Sequence, residues 1–585
     1  MNNKEHLKQE YLNNLRHSFA HLLAAAVIKL YPDTKRTIGP AIENGFYFDF
    51  EFSRTITEKD LPKIEKEMRK LLPTWKEFTR YELSAEEAKA EYPGNQFKHE
   101  LIEEFTKDGQ KVSFYRSGEY WDLCKGGHVT NMREEAKQDA FKLTKVAGAY
   151  WRGDEKNKML TRIYGVAFET KEELDAYLNM LAEAEKRDHK VLGPKLDLFM
   201  FHHTSPGMPY WLPKGVIIYN ELVDFWRKEH KKRNYQEIVS PLLNKKELYI
   251  TSGHYEHYWP DMFVANMGEN EEYGIKAMNC PNAMVVFGSK LRSYKELPLR
   301  LSDTDMLHRY ERTGTLNGLL RVREFRQDDA HCFISEEMIE SEYESIFDIT
   351  KLFYGIFGLE YKYRLGTRPE SFMGDVETWN RAEESLKKIL EKSGKDYFIE
   401  EGDGAFYGPK VDILMKDALG REWQMGTIQL DFQQPRRFGL EYVAEDGSRK
   451  TPVAVHRVIY GSLERFMGLL IEHYAGNFPL WLSPVQFALL PISEKQNHFA
   501  EKIKKQLLEH NENLRIEIDE RSESIGKKIR EATMQKVPYQ MILGEKEVEA
   551  NKLAVRTREG KDLGQMDIDE FIKKITEEIK RKIKM

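Results

Sequence analysis

RYERTGTLNGLLRVREF, residues 309–325, is the stretch whose reading decides the fold. It opens on Arg309-x-Glu311 and ends in Arg323 and Phe325. Further on, GSLERF (461–466) places Arg465 just after a Gly-Ser turn. Two arginines on separate elements suit a nucleoside triphosphate site, because guanidinium groups grip phosphate oxygens bidentately. Phe325 supplies a face on which a base can stack. The plainer reading, a surface Arg309–Glu311 ion pair beside an amphipathic strand, is hard to hold for all of these segments together.

Working outward, Cys280 sits in MNCP (278–281), His331 in QDDAHCF (327–333) and His456 in VHRVIYGS (455–462). They are far apart in sequence, so spacing alone makes no metal site. Taken singly, a cysteine is usually a small buried hydrophobe, and a histidine a satisfied polar residue.

These segments carry a resemblance. RYE…REF resembles motif 2 of the class II aminoacyl-tRNA synthetases and GSLERF motif 3, while Pro241 in YQEIVSPLL (235–243) stands where motif 1 has its proline. MNCP, QDDAH, GAFYGPKVDI (404–413), WQMGTIQLDF (423–432) and VHRVIYGSLERF, in that order, resemble the threonyl-tRNA synthetases over nearly the whole chain. The resemblance implies zinc held by Cys280, His331 and His456. It implies ATP, with Mg²⁺, held by Arg309, Glu311, Arg321, Phe325 and Arg465. Threonine would be lined by Gln327, Asp329, Tyr407 and Gln429. Arg309, Arg465 and Lys410 are the expected catalytic residues. Three protein ligands leave a zinc position open. Threonine's amino and hydroxyl groups can complete such a shell, with Asp329 accepting the hydroxyl proton. Valine has the same shape but no hydroxyl, and an apolar pocket separates such isosteres by only ~10²-fold.

Near the N-terminus, His17 and His21 lie in the helical pattern NNLRHSFAHLLAAAVIKLY (13–31), with both imidazoles on one face. WDLCKGGH (121–128) brings Asp122, Cys124 and His128. From residue types alone this is either a zinc site or two histidines on a partly buried helix beside an unrelated loop. The resemblance gives a third reading. HSFAH and DLCKGGH, with AGAYWRG (147–153) and RIYG (162–165), match the family's editing domain. There, His17, His21, Asp122, Cys124 and His128 would handle mischarged seryl-tRNA without a metal. Serine lacks only a methyl, and such a difference is worth about 1–3 kcal/mol, so a second hydrolytic sieve is expected.

With 585 residues the chain should form several domains, since single cores stop growing near 250–300 residues. Hydrophobic residues at 41% fit a globular protein, and 90 Lys+Arg against 96 Asp+Glu leave RNA binding to local patches. Only three cysteines and no apolar leader point to a reducing, cytoplasmic setting without a membrane span. A capping box at Thr170 and Glu173 opens a helix whose Leu174, Tyr177, Leu178 and Leu181 form one stripe, and Gly193-Pro194 is its stop signal. From Ser483-Pro484 onward, simple strands and helices alternate: QFALLPI, LRIEIDE, YQMILG and KLAVRT read as strands and a Ser493–Gln496 capping box opens a helix, predicting a small α/β domain with a mostly parallel sheet.

The expected chain is therefore α+β and multidomain. It comprises an α+β editing domain (1–169), a linker helix (170–193), a class II catalytic domain on a six- or seven-stranded antiparallel sheet flanked by helices (194–482), and an α/β anticodon-binding domain (483–585). In the last, GEKEVE (544–549) and AVRTREGKDLG (554–564) resemble the family's anticodon reader, which puts Glu547 and Arg556 on anticodon bases. Alone, these two are charged residues beside a strand. The partners implied are tRNA(Thr), ATP, threonine and a second copy in a homodimer. The bacterial ubiquitin-like domain is expected to be absent. Asn282, Ala283, Tyr310, Asn317 and Met425 depart from the family's commonest residues. Two other functions compete: a class II synthetase for another small polar amino acid, which the Cys280, His331 and His456 trio disfavours, and a non-ligating regulator, which retention of Arg309 and Arg465 disfavours.

Overall fold

The computed structural model describes residues 3–107, 109–268, 271–417 and 420–581. The chain folds as two compact units, residues 1–182 and 183–585.

In the first unit the HSFAH stretch lies in one long helix, Asn3–Leu30. Its Leu15, Phe19, Leu22, Leu23 and Ala26 recur at helical spacing and are buried. The helix packs on an antiparallel sheet ordered Lys35–Arg36, Gly45–Glu51, Met159–Ala167, Phe141–Tyr150, with Ala41–Ile42 also paired to Gly45–Glu51. In GFYFDFE the alternation turns Phe46, Phe48 and Phe50 into the core. A second antiparallel sheet of three strands, Thr79–Leu83, Val112–Ser117 and Tyr120–Leu123, ends beside Cys124. This is the α+β composition expected.

The expected linker helix is two helices. Lys171–Arg187 starts as read, with Thr170 Oγ1 accepting from Glu173 N at 3.2 Å, although the Glu173 carboxylate caps Glu169 N rather than Thr170 N. It ends at Arg187, where Asp188 caps a second helix, His189–Lys195, by accepting from Lys190 N at 2.8 Å. Gly193-Pro194 is therefore no stop. Both lie inside the second helix, and Gly193 is there because a Cβ would overlap Phe199.

The second unit is built on an eight-stranded sheet. Six central strands are antiparallel, in the order Leu299–Asp303, Asp329–Ile334, Val453–Val458, Glu422–Asp431, Lys410–Lys416, Glu360–Gly366. Tyr235–Glu237 and Tyr397–Glu400 add at the two edges in parallel. One face is covered by helices including Pro213–Lys232, Ile339–Phe357, Val376–Ser393 and Leu463–Tyr474, which bury Trp226, Tyr343, Phe353 and Leu386. The register runs one row, Leu301–His331–His456–Gln429–Lys410, across five strands. Residues paired in a row share a face, as do residues two apart along a strand. His331, His456 and Gln429 therefore emerge together on the face the helices leave open. Asp329 and Asp431 join them from two residues away.

The C-terminal part is a five-stranded sheet ordered Ile516–Ile518, Phe487–Pro491, Tyr539–Leu543, Lys552–Thr557, Asp562–Asp567. Helices Asn497–His510, Ile525–Met534 and Ile568–Arg581 accompany it. The expected Ser493–Gln496 capping box is present, with the Gln496 side chain accepting from Ser493 N at 3.0 Å. The mostly parallel sheet is not. Two pairings are parallel and two antiparallel: residues 544–551, which include the helix Glu545–Ala550, return the chain antiparallel to Tyr539–Leu543, and a tight turn at 558–561 makes the last two strands a hairpin.

Candidate functional site

The open face of the eight-stranded sheet floors a cavity of about 470 Å³. Its wall carries every residue expected to hold zinc, ATP or threonine, and Lys410 is the one expected catalytic residue it lacks. Lys410 stands in the same strand row, but its ammonium is tied to Asp403 at 3.1 Å and Asp412 at 3.2 Å.

At one end Cys280, the first residue of helix Cys280–Phe287, meets His331 and His456. One donor atom from each lies within 4.8 Å of the others, and all three residues are buried. Burial, reinforced by Asp329 and Asp431, pushes the Cys280 thiol well up. The His331 imidazole is held well below its usual value, first by burial and then by His456. His331 Nδ1 is buried with no hydrogen-bond partner. His456 Nε2 is bonded to Asp431 Oδ2 at 2.8 Å, which leaves Nδ1 for another contact. A thiol, two imidazoles, one orphaned ring nitrogen and a carboxylate behind the other ring fit a borderline-soft cation such as zinc.

Beside this trio, Asn279 Nδ2 donates to Asp329 Oδ2 at 3.1 Å, and burial raises the Asp329 carboxyl. The Tyr407 hydroxyl bonds the Gln429 amide oxygen. Gln327 continues the Asp329 strand edge and bridges to Ser462. The polar groups are thus fixed in place by other polar groups.

The other end is cationic. The Arg309 guanidinium lies over Phe325, 5.0 Å from the ring centroid, and donates to the Ala277 carbonyl at 3.2 Å. Arg321 pairs with Glu311 at 2.9 Å. Arg465 sits in the first turn of helix Leu463–Tyr474, capped by Ser462, and donates to the carbonyls of Leu320 and Gln424. Burial first, and then Arg321 and Arg309, lower the Arg465 pKa, the mark of cations gathered in one place, with Glu311 opposing them. Such an end is built for a polyanion.

Several residues that hold this geometry were missed from sequence. Asp328 faces the opposite side of its strand, and its carboxylate accepts from the backbone of Ile459 and Gly461 at 3.0–3.1 Å, fixing the turn before Ser462. Buried Arg457 lies 3.8 Å from that carboxylate. The signal that could have found them is the period of two. QDDAH alternates site residues with supporting ones, and Asp431 follows Gln429 by two.

The first unit carries a separate cavity of about 460 Å³, lined by His17, His21, Lys98, Asp122 and Cys124 among others. His128 is not on its wall but completes the cluster: donor atoms of His17, His21, Cys124 and His128 all lie within 4.8 Å. Cys124 Sγ is 3.3 Å from His128 Nε2 and 3.7 Å from His17 Nε2. His128 stacks on Phe78 at 4.1 Å. Burial lowers His17, lowers His21 well below the usual value, takes His128 down to about 3 and pushes Cys124 up to about 11. The cluster is thus neutral near pH 7. Asp122 is spoken for: it takes Lys98 at 2.7 Å, the Tyr92 hydroxyl at 2.6 Å, the Tyr120 hydroxyl at 2.8 Å and Arg36 at 3.7 Å. It anchors this wall rather than offering a free base.

In the C-terminal part, Glu547 lies on helix Glu545–Ala550 and Arg556 on strand Lys552–Thr557. Glu547 accepts from Gly544 N at 3.0 Å and from the Gln565 amide at 2.8 Å, while Arg556 Nε is buried without a partner.

Comparison with known proteins adds three family matches. Residues 263–474 match the tRNA synthetase class II core domain (G, H, P, S and T), residues 486–578 an anticodon binding domain, and residues 112–164 the threonyl and alanyl tRNA synthetase second additional domain. A threonine–tRNA ligase of Clostridium botulinum is 51% identical over 570 residues, covering 97% of this chain and 89% of its own. One from Caldanaerobacter subterraneus is 50% identical over 568 residues, covering 97% and 87%. Among solved structures, the RNA binding domain of a threonyl-tRNA synthetase from Cryptosporidium parvum superposes with a TM-score of 0.64 at 41% identity, covering 67% of this chain and 98% of that one.

Proposed function

The chain belongs to the threonyl-tRNA synthetases, the class II ligases that join threonine to its tRNA using ATP, and on that premise we propose how its residues divide the work. Cys280, His331 and His456 would hold zinc, which when bound would supply a Lewis-acid contact for threonine's amino and hydroxyl groups. Asp329, steadied by Asn279, accepts the hydroxyl proton in a hydrogen bond. Gln327, Tyr407 and Gln429 close around the amino acid. ATP, with Mg²⁺, lies toward Arg309, Arg321, Phe325 and Arg465, with Glu311 holding Arg321. The threonine carboxylate attacks the α-phosphorus. A carbon-linked oxygen–phosphorus bond forms, the bond to pyrophosphate breaks, and threonyl-adenylate and pyrophosphate result. Arg309 and Arg465 stabilise the charge that accumulates on the phosphoryl oxygens. A ribose hydroxyl at the tRNA end then attacks the threonyl carbonyl and AMP leaves.

The observation that carries this reading is the one row of strand register that sets His331, His456 and Gln429 side by side, with an anion-ready arginine cluster in the same cavity. Lys410 serves at a distance, through Asp403 and Asp412.

Residues 1–169 then act in editing, 170–193 link, 194–482 ligate and 483–585 read the anticodon, with Glu547 and Arg556 toward the bases. In editing, the His17, His21, Cys124 and His128 cluster, neutral near pH 7, orients water and the mischarged end by hydrogen bonds while Asp122 fixes the pocket. Homodimerisation through the Pro241 segment is supported by its exposed apolar residues, since Val239 is 86% exposed and Leu242 and Leu243 are also exposed. Among the described residues no helix is long and apolar enough to cross a membrane, in keeping with a cytoplasmic enzyme.

Charging assays test the reading. Zinc-loaded protein should attach threonine to tRNA(Thr), and protein stripped by a chelator should lose that activity and regain it with zinc. Full activity in protein proven free of metal would contradict the zinc assignment.

A further inference from the structure

A third cluster lies outside both cavities. His189, at the start of helix His189–Lys195, is fully buried between the motif 3 helix and the segment 317–321 of motif 2. Its Nε2 faces the backbone N of Leu319 at 3.0 Å, and its Nδ1 faces Glu472 Oε1 at 2.7 Å. A backbone amide can only donate, so Nε2 is the acceptor and Nδ1 carries the proton, which it gives to the carboxylate. Glu472 is itself held by Arg421, which also grips Asp417.

The neighbours make room for the ring. Gly318 has φ +51°, and a Cβ there would overlap His189 Nε2. Gly468, on the motif 3 helix, lets Leu319 and the imidazole approach, since an added Cβ would lie 3.2 Å from Leu319 and 3.6 Å from the ring. The far side of the same two-residue segment is held by Arg465, which donates to the Leu320 carbonyl at 2.9 Å. Leu319-Leu320 is thus clamped between an imidazole and a guanidinium. The next residue is Arg321, at the cationic end of the cavity.

We propose that His189 is a positioning residue for ATP: by holding Leu319 N against the Glu472-backed imidazole, it fixes where Arg321 and Arg465 stand in the nucleotide end of the cavity. This rests on the nucleotide reading given above. Losing the clamp frees Leu319-Leu320, so Arg465 loses its carbonyl partner's fixed position and Arg321 loses its approach to Glu311. The effect falls on nucleotide affinity, with threonine's end of the cavity untouched.

The test is the ATP dissociation constant by calorimetry, paired with ATP–pyrophosphate exchange and thermal unfolding, on wild type, His189→Ala, His189→Gln and His189→Asn. Gln places its amide oxygen where Nε2 stands and can still accept from Leu319, whereas Asn reaches only the Glu472 side. ATP binding should weaken roughly tenfold in His189→Ala and His189→Asn and recover in His189→Gln, with KM for threonine unchanged. If His189→Ala does not fold, the Gln and Asn pair decides. Equal ATP affinity in Gln, Asn and wild type, with only the melting temperature lowered, would overturn the proposal. Wild type that binds ATP but exchanges no pyrophosphate with threonine would instead sink the ligase reading, and the ATP affinities would still judge His189.

Discussion

At the scale of single residues, the central cavity is made by side chains whose partners decide what they can do. Asp431 takes His456 Nε2 at 2.8 Å and so presents Nδ1 to the cavity. Asp431→Asn keeps the volume but can turn a donor toward that nitrogen. Zinc affinity, measured by chelator competition, should fall by about 10–100-fold. Unchanged affinity would show that the ring is oriented by packing alone. The N-terminal cluster makes a prediction about pH. His128 is lowered to about 3 and His21 is lowered as well, both first by burial. Below the unfolded value near 6.5, the unfolded chain takes up protons that the folded cluster refuses, so stability falls as pH drops from 6.5 toward 3. Each histidine should cost about 1 kcal/mol between pH 7.5 and 5.5. Denaturant melts at the two pH values check this, and His128→Gln should reduce the difference by about 1 kcal/mol, leaving the share of His21. Arg309 and Arg465 stood out by residue type, whereas Cys280, His331 and His456 did so only through the family resemblance; the structure brings all five to one cavity. The sequence hid Asp431, Asn279 and Asp328, because an aspartate or asparagine looks alike in sequence whether it faces solvent or orients a neighbour.

At the scale of elements, one strand edge does two jobs. In Asp329–Ile334 and the residues before it, Gln327, Asp329 and His331 face the cavity while Asp328 and Cys332 face the helices. Asp328 ties the backbone of Ile459 and Gly461 to this strand, and so sets the turn that launches the helix bearing Arg465. Asp328→Ala leaves those two amides unpartnered and Arg457 without its nearest carboxylate. It should destabilise the fold by about 3–5 kcal/mol and lower the exchange rate together with it. Urea unfolding and pyrophosphate exchange measure both, and a loss under 1 kcal/mol would contradict the account. Amphipathic stripes and capping boxes were legible: the helix at Asn3–Leu30 and the Ser493 box formed as read. Gly193-Pro194 misled because glycine has a second use, close packing, which here brings Phe199 against the helix. In the C-terminal sheet the strand Lys552–Thr557 was visible and Asp562–Asp567 was not, and the antiparallel pairing of both was hidden because a strand's residue pattern carries no pairing direction.

At the scale of the whole molecule, two units carry two cavities of similar size and opposite character. One gathers cations beside a thiol and imidazoles. The other is a neutral cluster of histidines and a cysteine whose nearest carboxylate is locked by Lys98 and Arg36. That contrast fits one cavity that must bind a polyanion and a second that must orient a water by neutral hydrogen-bonding groups. Metal analysis separates them further: one zinc per chain is expected, lost on Cys280→Ala and retained on Cys124→Ala. Two zinc ions per chain, or retention after Cys280→Ala, would contradict the assignment. The central claim is that a zinc-bearing pocket selects threonine by its hydroxyl. It is tested most directly by ATP–pyrophosphate exchange on zinc-loaded protein with threonine, serine and valine in parallel. The account predicts strong exchange with threonine, weaker exchange with serine and none with valine. Exchange with valine comparable to threonine, or no exchange with any of the three, would contradict it.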